Sequence, residues 1–246
     1  MKLAAAPVVS IEQVVADTFL MWLDAPGTVA GARPGQFVMA HCGPDTVLRR
    51  PLSIHQVDGD RLALLFVVIG QGTGWLSARQ PGDKVSLLGP LGNGFTVPDD
   101  AHNLLLVAGG MGIAPLCFLA EDAVRAGGEV RILYGTANRD RCDVPGRSRV
   151  CVVTEDGSVG QQGVVTDLIP EHVGWADRVY ACGPPAMYHY MAEHPEMFAG
   201  KPVEVSLEMR MGCGFGVCFG CTVNTKQGLK QVCRDGPVFG LGDIIW

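Results

Sequence analysis

The hydrophobic rhythm of this 246-residue chain changes once, near residue 98, and that change limits the folds open to it. Before it, the apolar runs "PVVSIEQVV", "FLMWL", "QFVMAH", "PLSIHQ", "RLALLFVV" and "KVSLL" are cut by the turn signals "APG", "RPG", "DGD" and "QPGD". Strands at such short spacing predict an antiparallel β-barrel of about six strands, with one helical stretch over residues 72–79. After it, "NLLLVAGG", "IAPLCFLAEDAVRAGG", "EVRILYG", "RVCVVTEDG", "RVYACGP" and "PAMYHYMAEH" alternate strand with helix. Apolar strands between helices predict a parallel sheet covered on both faces. Ile113, Leu116, Cys117, Ala120, Ala123 and Val124 share one face of the first helix, and Gly127-Gly128 ends it. Beyond Met209 the sequence turns to glycine, cysteine and short polar turns. The expected organisation is mixed: a barrel over residues 1–98, an α/β parallel-sheet domain over 99–209 and a small cysteine-rich domain over 210–246.

A chain that is 48% hydrophobic and 18% charged reads as globular. Its net charge of -6, with no basic run longer than Arg49-Arg50, argues against nucleic acid, whose phosphates need basic patches. Residues 104–120 carry no charge, but Gly109, Gly110, Gly112 and Pro115 break the stretch, so strand, turn and helix explain it better than a membrane span. The nine cysteines are an odd count, and the opening "MKLAAAPVVSIEQVV" is too weak for a signal peptide. A reducing cytoplasm is the expected location.

The cysteines concentrate in "GCGFGVCFGC", residues 212–221. Their spacing, Cys213-x4-Cys218-x2-Cys221 with Cys233 after eleven intervening residues, matches that of plant-type two-iron two-sulfur sites. Gly212, Gly214, Gly216 and Gly220 would let backbone N–H groups approach sulfur. The intervening "TVNTKQGLKQV" reads as a hairpin, which would return Cys233 to about one strand spacing, ~4.8 Å, from Cys221. A structural zinc site is the second reading, although zinc usually takes paired C-x2-C knuckles and only Cys218 and Cys221 form one. Cys42, Cys117, Cys142 and Cys151 have no partner spacing and are expected to be inert.

Two further stretches read as nucleotide sites. "LVAGGMGIAP" follows a strand and opens a helix, which would aim the N–H groups of Gly110, Met111 and Gly112 at a pyrophosphate. Pro115 stands where the last glycine of G-x-G-x-x-G would be, so the signal is weak alone. "YACGPPAM" ends a later strand, and the carboxyl ends of parallel strands are where ligands bind. In the barrel, "RRPLSI" offers Arg50 to a phosphate and Ser53 as a donor, and "VIGQGTGWL" places Gly72 and Thr73 at a helix start. By residue type alone, Arg50 is more often an ordinary surface charge and Gly72 merely a turn.

The order of "RRPLSI", the Gly72-Thr73 pair, "GPLGNGF" (residues 89–95), "GGMGIAP" and "CGPP" resembles the ferredoxin-reductase family of flavoproteins. The tail, "LEMRMGCGFGVCFGC" with "VCRDGPVF", is similar to electron-transfer subunits of type B dihydroorotate dehydrogenases, and the resemblance runs over nearly the whole chain. It implies FAD on Arg50, Pro51, Leu52 and Ser53, on the backbone of Leu65, Phe66 and Val67, and on Gly72 and Thr73. It implies NADH over Gly109, Gly110, Met111 and Gly112 and against Cys182, Gly183 and Pro184. A 2Fe-2S cluster would be held by Cys213, Cys218, Cys221 and Cys233. Many relatives carry tyrosine where Leu52 stands, so flavin stacking here would be aliphatic.

Nicotinamide gives up two electrons together and an iron–sulfur cluster passes them singly; flavin does both. The implied activity is therefore an oxidoreductase subunit moving electrons between NADH and a partner through FAD and the cluster, with no acid–base residue required. Barrel, nucleotide fold and cysteine loop use up the chain, so the orotate chemistry of pyrimidine biosynthesis would lie on an FMN-containing dihydroorotate dehydrogenase catalytic subunit, in a heterotetramer, with residues 213–221 facing it. The alternatives are a reductase with a ferredoxin- or oxygenase-linked acceptor, and a redox sensor without turnover. NADH is expected over NADPH, although Arg139 or Arg141 could hold a 2'-phosphate. Glu155 and Asp156 follow a strand end and could approach the nicotinamide, but read more readily as a solvated turn. His189 and His194 lack the H-E-x-x-H pattern of a zinc hydrolase.

Overall fold

The computed structural model describes residues 1–139 and 149–246. Arg141 and Cys142 lie outside the described residues. The first half is β1 (Lys2–Val15), β2 (Thr18–Asp24), the short α1 (Pro26–Val29), β3 (Phe37–Ala40), β4 (Arg50–Ser53), β5 (Gln56–Asp58), β6 (Arg61–Val67), α2 (Gln71–Ser77) and β7 (Lys84–Leu91). The strands form one antiparallel sheet in the order β4-β3-β7-β1-β2-β6-β5. Seven strands stand where about six are expected, because the run "PLSIHQ" divides. Ile54 N–H turns to the Gln36 carbonyl and His55 N–H to that of Ala63, which splits the run into β4 and β5.

Strand β1 also starts earlier than its apolar run. Its first residues pair with β7 through Pro7, and from Val8 it pairs with β2, past an irregularity between Val8 and Ser10. Such a bulge bends the strand, so one strand can serve both halves of the curled sheet. Alternate residues, among them Met21, Leu23, Val38, Leu62, Leu64, Val85 and Leu87, meet inside.

The second half holds β8 (Asn103–Gly109), α3 (Ile113–Arg125), β9 (Glu129–Thr136), β10 (Arg149–Thr154), β11 (Gln161–Gln162), α4 (Ile169–His172), β12 (Arg178–Cys182), α5 (Pro185–Glu193) and β13 (Val203–Ser206). Strands run parallel in the order β11-β10-β9-β8-β12-β13. The order reverses between β8 and β12, and that switch point opens a crevice at the strands' carboxyl ends. Of the predicted buried face of α3, Val124 is the exception at 46% exposed; the helix ends at Arg125 and Val124 clears the sheet.

The hairpin β14 (Thr222–Thr225) and β15 (Gly228–Gln231) leads into α6 (Val232–Asp235). Strand β16 (Val238–Gly240) then joins the nucleotide sheet, antiparallel to β13. The cysteine segment is thus stitched into the sheet of the middle domain. No helix among the described residues is long and apolar enough to cross a membrane.

Candidate functional site: two confluent cavities and a cysteine loop

A cavity of about 660 Å³ opens between barrel and nucleotide sheet. Arg50, Pro51, Leu52 and Ser53 of β4 and Leu65, Phe66 and Val67 of β6 line it, with Thr73. Gly72 lies behind the wall, where a Cβ would stand 3.1 Å from Cys42 and 3.2 Å from Arg50 Nε. The twin arginines divide their work. Both line the cavity, but Arg49 donates to the carbonyls of Met39 and Ser86 and to Ser86 Oγ, pinning β3 to β7, whereas the guanidinium of Arg50 donates to the Leu48 carbonyl at 2.5 Å. Thr73 Oγ1 accepts the Ile69 N–H at 3.0 Å, capping the start of α2.

A second cavity, about 640 Å³, follows the switch point. Gly109, Gly110, Met111, Gly183 and Pro184 line it. Gly112 and Cys182 stand behind them, back to back: a Cβ on Gly112 would fall 1.9 Å from the Cys182 carbonyl oxygen, so only glycine lets the two loops meet. Cys182 is fully buried, with Sγ 3.9 Å from Glu208 Oε1. Burial, then the Glu208 charge, pushes the thiol pKa up, and burial raises that of Glu208 in turn. Met111 and Glu208 line both cavities, so ligands in the two would meet there. Glu208 stands in the quoted stretch "LEMRMGCGFGVCFGC" but was not singled out by the sequence reading; its signal is a carboxylate just after a buried strand.

The two acidic residues after β10 part company. Glu155 sits at the end of β10 and lines the second cavity, while Asp156 makes the solvated turn, bonded to Ser158 Oγ. Arg139 turns to that loop as well, its guanidinium donating to the Ser158 carbonyl. The lining contains no lysine or arginine among the described residues.

The wall of the first cavity runs through residues 206–211, two residues short of Cys213. In the loop that follows, Phe215 and Val217 donate N–H to Cys213 Sγ at 3.5 and 3.4 Å, Gly216 to Cys233 Sγ at 3.1 Å, and Cys233 to Cys221 Sγ at 3.4 Å. Burial raises the Cys213 pKa, but the N–H groups of Phe215, Cys218 and Val217 and the Cys218 side chain outweigh it and bring the thiol down to about 6. Burial and the Cys221 sulfur push Cys233 up to about 12. Among the described residues no three His, Cys, Asp or Glu side chains gather closely enough to hold one metal ion. A two-iron centre asks instead for four thiolates divided between two irons, and the sulfurs here interact across the loop: Cys213 with Cys218, and Cys233 with Cys221 and Cys213. N–H groups aimed at sulfur and a left-handed Gly214 pressed on Met39 fit that group. Cys42 is raised to about 11, chiefly by burial, which suits an inert thiol.

A flavin-sized cavity on an antiparallel barrel, confluent with the switch-point crevice of a parallel sheet and followed by a four-cysteine loop, defines an electron-transferring oxidoreductase of ferredoxin-reductase-like fold. Residues 208–245 match the family described as the iron-sulfur cluster binding domain of dihydroorotate dehydrogenase B. The chain is 40% identical to the dihydroorotate dehydrogenase B (NAD(+)) electron transfer subunit of Desulforamulus reducens, covering 100% of this chain and 99% of that one. It is 38% identical to that of Geobacillus thermodenitrificans, covering 97% and 96%. Among solved structures it is similar to one of an NADH-dependent reduced ferredoxin-NADP oxidoreductase, from work on flavin-based electron bifurcation, with a TM-score of 0.89 at 30% identity, covering 99% and 90%. The chain belongs to the family of dihydroorotate dehydrogenase B electron transfer subunits.

Proposed function

We propose that this chain passes electrons between NADH and the FMN-containing catalytic subunit of a dihydroorotate dehydrogenase, serving pyrimidine biosynthesis from the cytoplasm within a heterotetramer. The observation that carries the reading is the confluence at Met111 and Glu208 of two cavities, one of whose walls ends at Met211, two residues before Cys213. Bound FAD would accept a pair of electrons and release them singly to a 2Fe-2S cluster.

The chain's own residues align and insulate. Arg50 offers a planar cation to the FAD pyrophosphate, with the β4 residues Pro51, Leu52 and Ser53 and the β6 residues Leu65, Phe66 and Val67 along the remaining length. Gly72 and Thr73 shape the turn beside it. The N–H groups of Gly110, Met111 and Gly112 lie at the start of α3, where the helix dipole favours the NADH pyrophosphate. Gly109, Cys182, Gly183 and Pro184 form the floor beneath the nicotinamide, and Met111 helps keep water from the junction. Cys213, Cys218, Cys221 and Cys233 hold the cluster, and 1–98, 99–209 and 210–246 are its FAD, NAD and cluster units. Around the cluster loop Phe215, Val217 and Phe219 are 42%, 63% and 63% exposed, an apolar rim suited to the catalytic subunit.

Anaerobic co-purification with the catalytic subunit tests the reading. FAD, two irons and two sulfides per chain, with NADH-linked orotate reduction, are the expected result; no co-elution, or no such reduction, sinks it. The likeness to the ferredoxin-NADP oxidoreductase favours one second reading, a different protein acceptor. Co-elution with a ferredoxin-linked partner in place of the orotate-reducing one would select it.

A further inference from the structure

Behind the second cavity the hydroxyl of Tyr188 accepts the Gly183 N–H at 2.8 Å and donates to the Ser206 carbonyl at 2.6 Å. One phenol thereby ties the loop after β12 to the end of β13. Gly183 lines the nucleotide cavity and Ser206 the flavin-sized one, so this link sets one cavity wall against the other. The Tyr188 ring is buried and stacks on Trp246, with centroids 5.5 Å apart and planes at 30°. Trp246 is held in turn: its indole N–H donates to the Leu241 carbonyl at 3.1 Å, and His189 meets it edge-on at 5.4 Å. The segment before it is anchored to the cluster hairpin, where Ile244 bridges Thr225 and Ile245 N–H donates to the Asn224 carbonyl.

We propose that Tyr188, clamped by Trp246, is a positioning residue for hydride transfer: it holds the loop of Cys182, Gly183 and Pro184 at a set place relative to the flavin cavity. This rests on the reading that the loop carries the nicotinamide. A buried phenol with both hydrogen bonds satisfied and its face packed has one low-energy orientation, and so has the loop it holds. Hydride transfer needs reacting atoms about 3–3.5 Å apart, and a misplacement of about 1 Å costs on the order of a hundredfold in rate. Tyr188 reaches the reaction through Gly183 and Ser206 and through the Cys182 thiol, which its hydroxyl also meets.

The test uses the assembled complex carrying FAD and cluster. Tyr188→Phe keeps the ring on Trp246 and removes both hydrogen bonds; Trp246→Ala removes the stack; Trp246→Phe keeps an aromatic face. Anaerobic stopped-flow reduction of FAD at saturating NADH should slow about tenfold or more in Tyr188→Phe and Trp246→Ala, and stay within about threefold of the parent in Trp246→Phe. FAD, iron and sulfide contents and the exit of electrons from dithionite-reduced complex to a dye should not change. Parent-like reduction in both of the first two variants overturns the proposal. So does a loss of FAD or iron in step with the rate, which would assign the pair to folding alone. If NADH fails to bleach the parent protein, it is the underlying reading of the nucleotide site that falls.

Discussion

At the scale of single residues, the site separates chemistry that the sequence lists side by side. Arg49 and Arg50 both line the cavity, yet Arg49 is spent on three bonds within the barrel while Arg50 bonds the nearby Leu48 carbonyl. Arg50→Ala should weaken FAD retention about tenfold or more, the worth of a charge-assisted hydrogen bond, and leave iron unchanged. Cys218→Ser should do the reverse, losing iron while keeping FAD; spectra with iron and flavin counts check both, and joint loss from either variant would mean the sites are not separate. Glu155 brings a negative charge to the end of β10, two strands from the switch point, toward which the adenosine of a dinucleotide would extend. Glu155→Arg should shift the ratio of kcat/KM for NADPH over NADH upward by about tenfold or more, and an unchanged ratio would remove Glu155 from nucleotide selection. The four cysteines proposed as ligands were picked out by spacing, because a cluster needs thiolates at set intervals along the chain. Glu208 was not, since its significance comes from the two cavities that meet there.

At the scale of elements, joins between them carry information that periodicity lacks. His55, just after β4, is buried and its Nδ1 lies 3.0 Å from the Ala114 carbonyl at the start of α3, and its neighbour Gln56 bonds Glu121 further along that helix. Strand β4 and helix α3, the two elements proposed to meet phosphate, are thereby fixed to each other. Burial, opposed by the Ala114 carbonyl, lowers the His55 pKa from 6.5 to about 4. The folded state therefore favours neutral imidazole. The stability this confers is complete above the unfolded value near 6.5 and falls as the pH drops toward 4, by up to about 3 kcal/mol. His55→Gln should flatten that part of the stability–pH curve, measured by denaturant unfolding; a parallel slope in both proteins would exclude His55 as its source. Asn93, in "GPLGNGF", is a second join: its side-chain amide donates to the carbonyls of Asp235 and Val238 and its Oδ1 accepts the Val238 N–H, binding the barrel to the segment after Cys233. Next to it Gly92 has φ +74° and a Cβ there would lie 2.6 Å from Pro237. Gly92→Ala should cost about 2 kcal/mol from the left-handed backbone alone, more with the clash, and thermal unfolding with iron retention reads it out.

At the scale of the whole molecule, the exposed rim of Phe215, Val217 and Phe219 surrounds the loop through which electrons would leave. Phe219 has φ +57°, a conformation that aspartate tolerates better than phenylalanine, so Phe219→Asp tests the rim without straining the loop. Affinity for the catalytic subunit should fall about tenfold or more with iron content unchanged, and unaltered co-elution would move the interface elsewhere. The barrel, the parallel sheet and the cysteine loop were all readable in order along the chain, because alternation, apolar run length and ligand spacing are local properties. The seventh strand was not, since the break between β4 and β5 is made by hydrogen bonds to Gln36 and Ala63, distant in sequence. Nor was the return of β16 to the edge of the nucleotide sheet, which rests on pairing with β13. The sequence by itself determined which kinds of element form and which side chains have the chemistry for phosphate and iron. Only the tertiary structure decided that the two cavities share Met111 and Glu208, that Glu155 enters a cavity wall, and that Tyr188 and Trp246 lie behind the nucleotide loop. Those relations are distances between segments far apart along the chain, and no local pattern of side chains encodes such a distance until packing has fixed it.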